Sequence, residues 1–160
     1  MFSPSLLKLA ESILAKARAA KLRLVTAESC TGGLVAGVLT EIPGSSDVLD
    51  RGLITYSNKA KTELLGVSAA LLDSKGAVSE EVARAMAEGA LRHGDISIAV
   101  TGIAGPSGGS KEKPVGLVHF AAARKGRATL HELHRFGDIG RHEIRLRSVE
   151  VALRLLDKLL

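Results

Sequence analysis

The positions of apolar residues predict a long amphipathic helix near each end of the chain. The first covers residues 4–20, which follow Ser3 and open with Pro4, a residue that suits the first turn of a helix. The second runs from residue 141 onward. In both segments apolar residues recur three or four positions apart, so they share one face that can pack against a core. These positions are Leu6, Leu7, Ala10, Ile13, Leu14 and Ala17 in the first segment and Val149, Ala152, Leu153, Leu156 and Leu160 in the second.

Shorter helices are predicted between these two. The apolar run at residues 34–39 ends near Glu41, because Pro43 cannot continue a helix. Asn58 and Ser79 are predicted as N-caps, since their side-chain oxygens can accept a hydrogen bond from a free backbone N–H. The helices that they begin span residues 58–65 and 79–92, and a short helical turn is expected at residues 68–72.

Five apolar or alternating segments predict β-strands. The first three alternate with helices, whereas the last two are neighbours joined by a hairpin turn at residues 124–127. This order predicts an α/β fold: a single three-layer α/β/α domain over residues 1–160, with a mixed, mainly parallel sheet. The predicted strands are residues 21–25, 51–56, 96–100, 114–122 and 128–136.

Three of the predicted strands end on a polar or glycine-rich cluster. The clusters lie at residues 26–33, 57–58 and 101–110. In open α/β sheets, ligands bind in the crevice beyond the carboxyl ends of the strands. The sequence therefore predicts a ligand cleft built from these three clusters.

The first cluster places Ser29 at a bend between a strand and a helix. Such a bend leaves backbone N–H groups unpaired, and with the helix dipole they suit an anion or an oxygen that becomes negative during a reaction. A hydroxyl at this bend is exposed and aimed, as in nucleophile elbows. The same pattern is also that of a Ser or Thr N-cap with a glycine-rich turn. The local pattern leaves both interpretations open.

Other features are also ambiguous. The cluster at residues 101–110 matches neither a P-loop nor a dinucleotide-binding fingerprint, so it is either a flexible surface loop or a backbone wall that approaches a ligand closely. Arg141 and Arg145 share one face at a helix N-terminus, which fits a solvated basic face or a phosphate clamp. Lys61 lies in the first turn of a helix, where the dipole disfavours a cation. It is therefore either solvated or has a lowered pKa.

Composition and charge narrow the classes of partner. The chain has 160 residues, of which 46% are hydrophobic but only 2% aromatic, so one domain with an aliphatic core is expected. Residues 111–160 hold 11 basic and 6 acidic side chains, which accounts for the net charge of +5. This bias fits nucleic acid or a phosphorylated small molecule, and the scarcity of aromatic stacking platforms favours the small molecule. A single cysteine, with no membrane-length apolar run and no signal-peptide pattern, predicts a cytoplasmic location.

Motifs along almost the whole chain resemble the CinA C-terminal domain family. They include Ala27-Glu28-Ser29-Cys30-Thr31-Gly32-Gly33, Thr55-Tyr56-Ser57-Asn58 with Lys61, Leu65-Gly66-Val67, residues 101–109 and 112–116, and Gly137-Asp138 with Arg141 and Arg145. The resemblance implies an α/β/α fold. It also implies a nicotinamide mononucleotide amidohydrolase that forms nicotinate mononucleotide and ammonia. Larger members carry an additional N-terminal domain with a molybdopterin-binding-like fold, and this chain resembles the stand-alone deamidase.

The same resemblance implies that Ser29 is the nucleophile and that Lys61 and Tyr56 activate it. Elementary chemistry is compatible with these roles, because an amide is a poor electrophile and a hydroxyl needs a base to attack it. A lysine serves as that base only if its pKa is lowered toward neutrality. From the residues alone, Cys30 is a rival nucleophile and Lys59 a rival base. A Ser–His triad would require one of the five histidines to fold back.

The remaining predicted roles concern binding. Backbone N–H groups around Cys30 and Thr31, or at Thr101 and Gly102, are candidates to stabilise an oxyanion. Arg141 or Arg145, with amides of the glycine-rich loop, would hold the 5′-phosphate, and Glu28 would order Lys61 or receive a ribose hydroxyl. The other predicted substrate-binding residues are Gly32, Gly33, Asn58 and Gly105.

No cofactor and no metal are predicted, because the sequence has no Cys/His pair at ligand spacing. The expected partner is the small-molecule nucleotide, nicotinamide mononucleotide. No membrane association is expected, and nucleic acid is the weaker expectation. Assembly into a homo-oligomer is left open. The alternative function is a non-catalytic nucleotide-binding or competence-related partner protein that uses the same cleft for recognition.

Overall fold

Helices cover both faces of a five-stranded sheet in the computed structural model, which describes residues 2–160. The strands are β1 (Leu24–Glu28), β2 (Leu49–Ile54), β3 (Ile96–Gly102), β4 (Leu117–Arg124) and β5 (Leu130–Arg135). The helices are α1 (Pro4–Ala19), α2 (Leu34–Thr40), α3 (Asn58–Leu65), α4 (Ala69–Lys75), α5 (Glu80–Ala90) and α6 (Arg141–Asp157). Within the described residues, no helix combines the length and apolarity that are needed to cross a bilayer.

The sheet is mixed, and its strand order is β2-β1-β3-β4-β5. Strand β1 pairs in parallel with both β2 and β3, while β4 is antiparallel to both β3 and β5. Four of the five strands therefore point in one direction, and β4 alone points the other way. The predicted three-layer α/β/α architecture with a mixed sheet is confirmed. The carboxyl ends of β1, β2 and β3 lie at the same edge.

Two aliphatic cores lie on opposite faces of the sheet because side chains alternate along each strand. Helices α1, α2 and α6 cover one face, where Leu24, Ile98 and Phe120 are fully buried. Helix α5, with α3 and α4, covers the other face, where Val25 and Met86 are fully buried. Strands β1 and β3 are buried along almost their whole length, as expected of central strands.

Several element boundaries differ from the sequence prediction. Strand β1 runs from Leu24 through Glu28 because it pairs on both sides, so three residues assigned to the loop belong to the strand. The N-cap of α3 is Ser57 rather than Asn58, since the Ser57 hydroxyl accepts the N–H of Ala60 at 3.0 Å. The turn expected at residues 68–72 is the longer helix α4. Strands β4 and β5 start three and two residues later than predicted.

Candidate active site

A cleft of about 250 Å³ opens at the carboxyl edge of the sheet, where β1 and β3 end beside α3 and the start of α6. Its walls come from segments that are far apart in the sequence. Eight of the residues predicted for the site line it: Ser29, Cys30, Tyr56, Lys61, Thr101, Gly102, Gly105 and Arg141. The crevice expected beyond the strand ends is therefore present.

The centre of the cleft is a contact between a lysine and a serine. The Nζ atom of Lys61 lies 3.1 Å from the Oγ atom of Ser29 and donates a hydrogen bond to the carbonyl oxygen of Thr55 at 2.8 Å. Lys61 is only 1% exposed, and among the described residues its Nζ atom bonds to a hydroxyl and a carbonyl rather than to a carboxylate. Burial lowers the pKa of Lys61 below its usual value of 10.5, because desolvation disfavours the charged amine. A deprotonated amine at this distance can take the proton of Ser29.

The position of Lys61 follows from how α3 begins. Ser57 caps the helix, and Lys61 donates its backbone N–H to the Ser57 carbonyl at 3.1 Å, one turn into the helix. Helical side chains lean toward the N-terminus of their own helix. That end of α3 follows directly after β2, so the long side chain of Lys61 extends back to the strand ends and Ser29. The sequence left open whether Lys61 is solvated or has a lowered pKa. In the structure it is buried, and burial lowers its pKa.

Ser29 lies in a tight bend directly after β1. Its N–H donates to the carbonyl of Val100 at 2.9 Å, and its own carbonyl accepts the N–H of Gly32 at 3.0 Å. Gly32 and Gly33 have φ angles of 59° and 96°, a left-handed conformation that only glycine adopts at low cost. Ser29 makes no capping bond to α2. Its hydroxyl is directed to Lys61 instead.

Glu28 has a role that the sequence did not predict. Its carboxylate is 1% exposed and accepts the N–H groups of Gly33, Val35 and Ala36 at 3.0, 3.0 and 2.8 Å, together with the hydroxyl of Thr26 at 3.1 Å. These donors include the second and third N–H groups of α2, so the helix N-terminus is not open to an anion as expected. Glu28 makes no bond to Lys61 and does not line the cleft.

Two backbone donors of the bend stay free after these bonds are counted. The N–H groups of Cys30 and Thr31 donate to no acceptor within residues 2–160. Thr31 is fully buried, and buried N–H groups without an acceptor are rare in folded proteins. Only Cys30 of these two residues lines the cleft, so a ligand oxygen there is a natural partner for the N–H of Cys30.

Tyr56 reaches the cleft but makes a different contact from the one expected. It is 60% exposed, and its hydroxyl accepts a hydrogen bond from Arg141 at 3.0 Å, with no bond to Ser29 or Lys61. Arg141 also donates to the carbonyl of Gly105 at 2.9 Å. The three residues form a bridge across one side of the cleft. In this geometry Tyr56 does not contact the proton that Lys61 would take.

The two arginines at the start of α6 have different surroundings. Arg141 lines the cleft, whereas Arg145 lies behind the bend and donates to the carbonyls of Cys30 and Thr31 at 3.1 and 2.9 Å. The structure therefore does not place both guanidinium groups on one ligand. Of the two arginines, only Arg141 lines the cleft.

The other predicted residues lie outside the cleft lining. Asn58 is exposed and lines a separate depression with Lys59 on another side of α3. Thr31 is fully buried, and its hydroxyl has no hydrogen-bond partner among the described residues. The residues that the structure does not bring to the cleft are Glu28, Thr31, Gly32, Gly33, Asn58 and Arg145.

The geometry weakens each rival assignment. Burial raises the pKa of the Cys30 thiol to about 12, so it stays protonated and is a poor nucleophile near neutral pH. Lys59 is exposed and pairs with Glu63 at 3.7 Å, away from the cleft. None of the five histidines lines the cleft.

Six residues of the lining were not predicted individually. Four belong to the glycine-rich loop already identified, and two lie between α4 and α5, where small apolar side chains gave no chemical signal. They are Ile103, Ala104, Ser107 and Gly108 in the loop and Ala77 and Val78 before α5. In residues 2–160, His, Cys, Asp and Glu side chains form no group of three suited to a metal ion.

Comparison with known proteins identifies related chains. Residues 6–160 match the CinA C-terminal domain. A CinA-like protein of Syntrophus aciditrophicus is 52% identical over 144 residues, which cover 88% of this chain and 34% of that protein. A putative competence-damage inducible protein of Caldicellulosiruptor bescii is 50% identical over 140 residues, with 86% and 34% covered. The chain thus spans about a third of the length of these curated relatives.

Solved structures have the same fold. The competence/damage inducible protein CihA of Agrobacterium tumefaciens superposes with a TM-score of 0.97 at 52% identity, covering 99% of this chain and 98% of that one. A competence-damaged protein (CinA) superfamily protein of Escherichia coli superposes with a TM-score of 0.91 at 35% identity, covering 100% and 94%.

Proposed function

The chain belongs to the CinA C-terminal domain family, and we propose that it is an amidohydrolase that converts nicotinamide mononucleotide to nicotinate mononucleotide and ammonia. One observation supports hydrolysis through a serine nucleophile. The buried amine of Lys61, which has no counter-ion among the described residues, lies 3.1 Å from the hydroxyl of Ser29 in a cleft. The choice of substrate rests on the motifs shared with the family and on the cationic rim at Arg141. The proposal includes a cytoplasmic location, as expected from the single cysteine.

The first step would form an acyl-enzyme. Neutral Lys61 takes the proton of Ser29 as Oγ attacks the carboxamide carbon, and the carbonyl oxygen becomes an oxyanion in a tetrahedral intermediate. Lys61 then donates that proton to the amide nitrogen. The C–N bond breaks, ammonia leaves, and an ester joins the nicotinoyl group to Ser29.

The second step would hydrolyse this ester. Lys61 takes a proton from water as the water oxygen attacks the ester carbon, and it returns the proton to Oγ when the C–O bond breaks. The products are the nicotinate group and free Ser29, so one water is consumed and Lys61 ends neutral. The burial that lowers the pKa of Lys61 makes the neutral amine available for both steps.

Binding would use the opposite side of the cleft. Arg141 has a guanidinium at the rim and, with backbone amides of the glycine-rich loop around Gly105 and Gly108, supplies donors for a 5′-phosphate. Tyr56, which is largely exposed beside Arg141, offers an aromatic face and a hydroxyl to the nucleotide. We assign Tyr56 to substrate binding rather than to direct proton transfer.

The decisive experiment measures ammonia and nicotinate mononucleotide over time with purified protein and nicotinamide mononucleotide. We expect turnover by the wild type, none by Ser29→Ala, and wild-type turnover by Ser74→Ala, a control at an exposed position on α4. Turnover by Ser29→Ala would contradict the mechanism. Binding of the mononucleotide without product from the wild type would favour the non-catalytic nucleotide-binding alternative.

A further inference from the structure

Arg145 contacts the catalytic bend from behind. Its Nε donates to the carbonyl of Cys30 at 3.1 Å and its NH2 group donates to the carbonyl of Thr31 at 2.9 Å. The two carbonyls belong to successive residues, so the planar guanidinium spans both with its fixed fork. Arg145 is partly buried and does not line the cleft. A ligand in the cleft would therefore not touch Arg145 itself. It would touch the backbone of the bend that Arg145 holds in place.

The contact fixes the direction of a backbone donor. In a trans peptide, the carbonyl of one residue and the N–H of the next point to opposite sides. Because the Cys30 carbonyl faces Arg145, the N–H of Thr31 points away from Arg145. The preceding peptide is fixed in a similar way, since the Ser29 carbonyl accepts the N–H of Gly32 at 3.0 Å. The N–H of Cys30 is therefore also held in one direction.

The rest of the bend has no free donor near Ser29. Glu28 accepts the N–H groups of Gly33, Val35 and Ala36, and the Ser29 N–H is bonded to Val100. Within the bend, residues 29–33, the N–H groups of Cys30 and Thr31 are the two for which no other described residue supplies an acceptor. Two successive N–H groups in a turn that ends in the left-handed conformation form a concavity suited to an anionic oxygen. Of the two, the N–H of Cys30 belongs to a residue that lines the cleft, directly after Ser29, where an oxyanion develops in acyl transfer.

We propose that Arg145 is a positioning residue that holds the Ser29 bend and with it the backbone donor for the oxyanion. Through the Cys30 and Thr31 carbonyls it keeps the bend in the shape in which the N–H of Cys30, the unbonded donor whose residue lines the cleft, faces the reacting carbonyl oxygen. It does not bind the phosphate of the substrate. This inference rests on the proposed amidohydrolase function, and it extends that function by naming the donor and the residue that holds it.

The test compares Arg145→Lys with Arg147→Lys, an exposed arginine two residues along α6 that pairs with Glu143. Lysine keeps the positive charge but cannot span two carbonyls with a rigid fork. We expect Arg145→Lys to lower kcat by about 10- to 100-fold with KM within about twofold of wild type, because misplaced donors weaken transition-state binding alone. Arg147→Lys should keep both values. Thermal unfolding of each variant establishes that it is folded.

A substrate pair separates positioning from phosphate binding. The loss in kcat should be the same for nicotinamide mononucleotide and for nicotinamide riboside, which lacks the phosphate. A rise in KM for the mononucleotide alone, with kcat preserved, would show that Arg145 is a phosphate ligand and would overturn the inference. Wild-type kinetics in Arg145→Lys would overturn it as well.

A fluorophosphonate probe makes the test independent of amide turnover, because its phosphoryl oxygen needs the same donors when Ser29 attacks phosphorus and fluoride leaves. Mass spectrometry should show labelling of Ser29 in the wild type and slower labelling, by about tenfold or more, in Arg145→Lys. Equal labelling rates would overturn the inference while leaving the nucleophile in place. Labelling of the wild type without amide turnover would instead contradict only the proposed substrate.

Discussion

The Nζ atom of Lys61 lies 3.1 Å from the Oγ atom of Ser29, and the lysine is almost completely buried. Burial lowers its pKa below 10.5, so the neutral amine becomes available at lower pH than for an exposed lysine. We expect kcat/KM to rise with pH through this lowered pKa and then to level off, because only neutral Lys61 accepts the Ser29 proton. Measurement of kcat/KM across a range of pH, at substrate concentrations well below KM, tests whether the rate rises in this way.

Replacement of Lys61 by arginine separates charge from basicity. Arginine stays protonated at every accessible pH, so Lys61→Arg should lose activity by about 10² to 10⁴-fold and show no rising limb. Lys59→Arg, at an exposed position on the same helix, should keep the wild-type profile. A pH-independent wild-type rate, or an active Lys61→Arg protein, would rule out Lys61 as the base.

The Glu28 carboxylate accepts four hydrogen bonds, so its replacement should lower the stability of the fold. A glutamine has one acceptor oxygen, and its NH2 group would face the backbone N–H donors of α2. Glu28→Gln should therefore reduce the free energy of unfolding by about 2–4 kcal/mol, because buried donors lose their acceptor. Urea unfolding measures the change. Glu41→Gln, at the exposed other end of α2, is the control, and equal stability of the two variants would contradict the capping role.

Glycines inside two helices predict opposite effects of the same substitution. A Cβ at Gly89 in α5 would overlap the carbonyl oxygen of Leu65, whereas a Cβ at Gly37 in α2 would meet its nearest neighbour, a ring carbon of Phe2, at 3.7 Å. Alanine is favoured over glycine in helices by about 1 kcal/mol. Gly37→Ala should therefore raise the unfolding free energy by about 0.5–1 kcal/mol.

At Gly89 the overlap exceeds the gain in helix propensity. Gly89→Ala should lower the unfolding free energy by about 1–3 kcal/mol, because α5 must move away from the end of α3. Chemical denaturation of both variants measures whether each substitution raises or lowers the unfolding free energy. Stabilisation by both substitutions would show that α5 shifts without cost.

The paired histidines on β4 and β5 predict a pH-dependent stability. Burial, followed by the neighbouring His131, lowers the pKa of His119 from 6.5 to about 4. The Nδ1 atom of His119 lies 3.0 Å from Nε2 of His131, so protonation of both rings is unfavourable. Between about pH 6.5 and pH 4 the unfolded chain binds a proton at His119 that the folded chain does not. Stability should therefore fall as the pH drops through this window.

His119→Gln tests the origin of that dependence. Without the imidazole, the slope of unfolding free energy against pH should become flatter between pH 6.5 and 4. His142→Gln, at an exposed position on α6, provides the control. An unchanged slope in His119→Gln would assign the acid sensitivity of the fold to other groups.

The architecture was predictable because hydrophobic periodicity and strand order constrain the layers of an α/β domain. The boundary of β1 was not, since its last three residues are polar or small and join the strand only through pairing with β2 and β3 on both sides. The cap of α3 was also assigned one residue late. Ser57 and Asn58 are both good caps, and local sequence does not decide between neighbours.

The sequence predicted that Ser29 and Lys61 lie together, as they do at 3.1 Å, but it did not predict their surroundings. Glu28 caps α2 from six residues before the helix starts, through a bend whose path depends on two left-handed glycines. No local capping rule covers that distance. Arg141 and Arg145 share a helix face by spacing, yet one meets Tyr56 and the other meets the Ser29 bend. Their partners depend on where α6 packs, which is a tertiary property.

The bonds from Arg145 to the bend have a consequence for the timing of maturation. Arg145 is synthesised 115 residues after Cys30, so a growing chain contains Ser29 long before it contains the group that holds the neighbouring carbonyls. At translation speeds of about 5–20 residues per second, this interval lasts roughly 6–23 s. During that time the bend at Ser29 has no guanidinium behind it. If Arg145 holds the bend as proposed, the bend reaches its final geometry only when α6 docks, after nearly the whole chain has been synthesised.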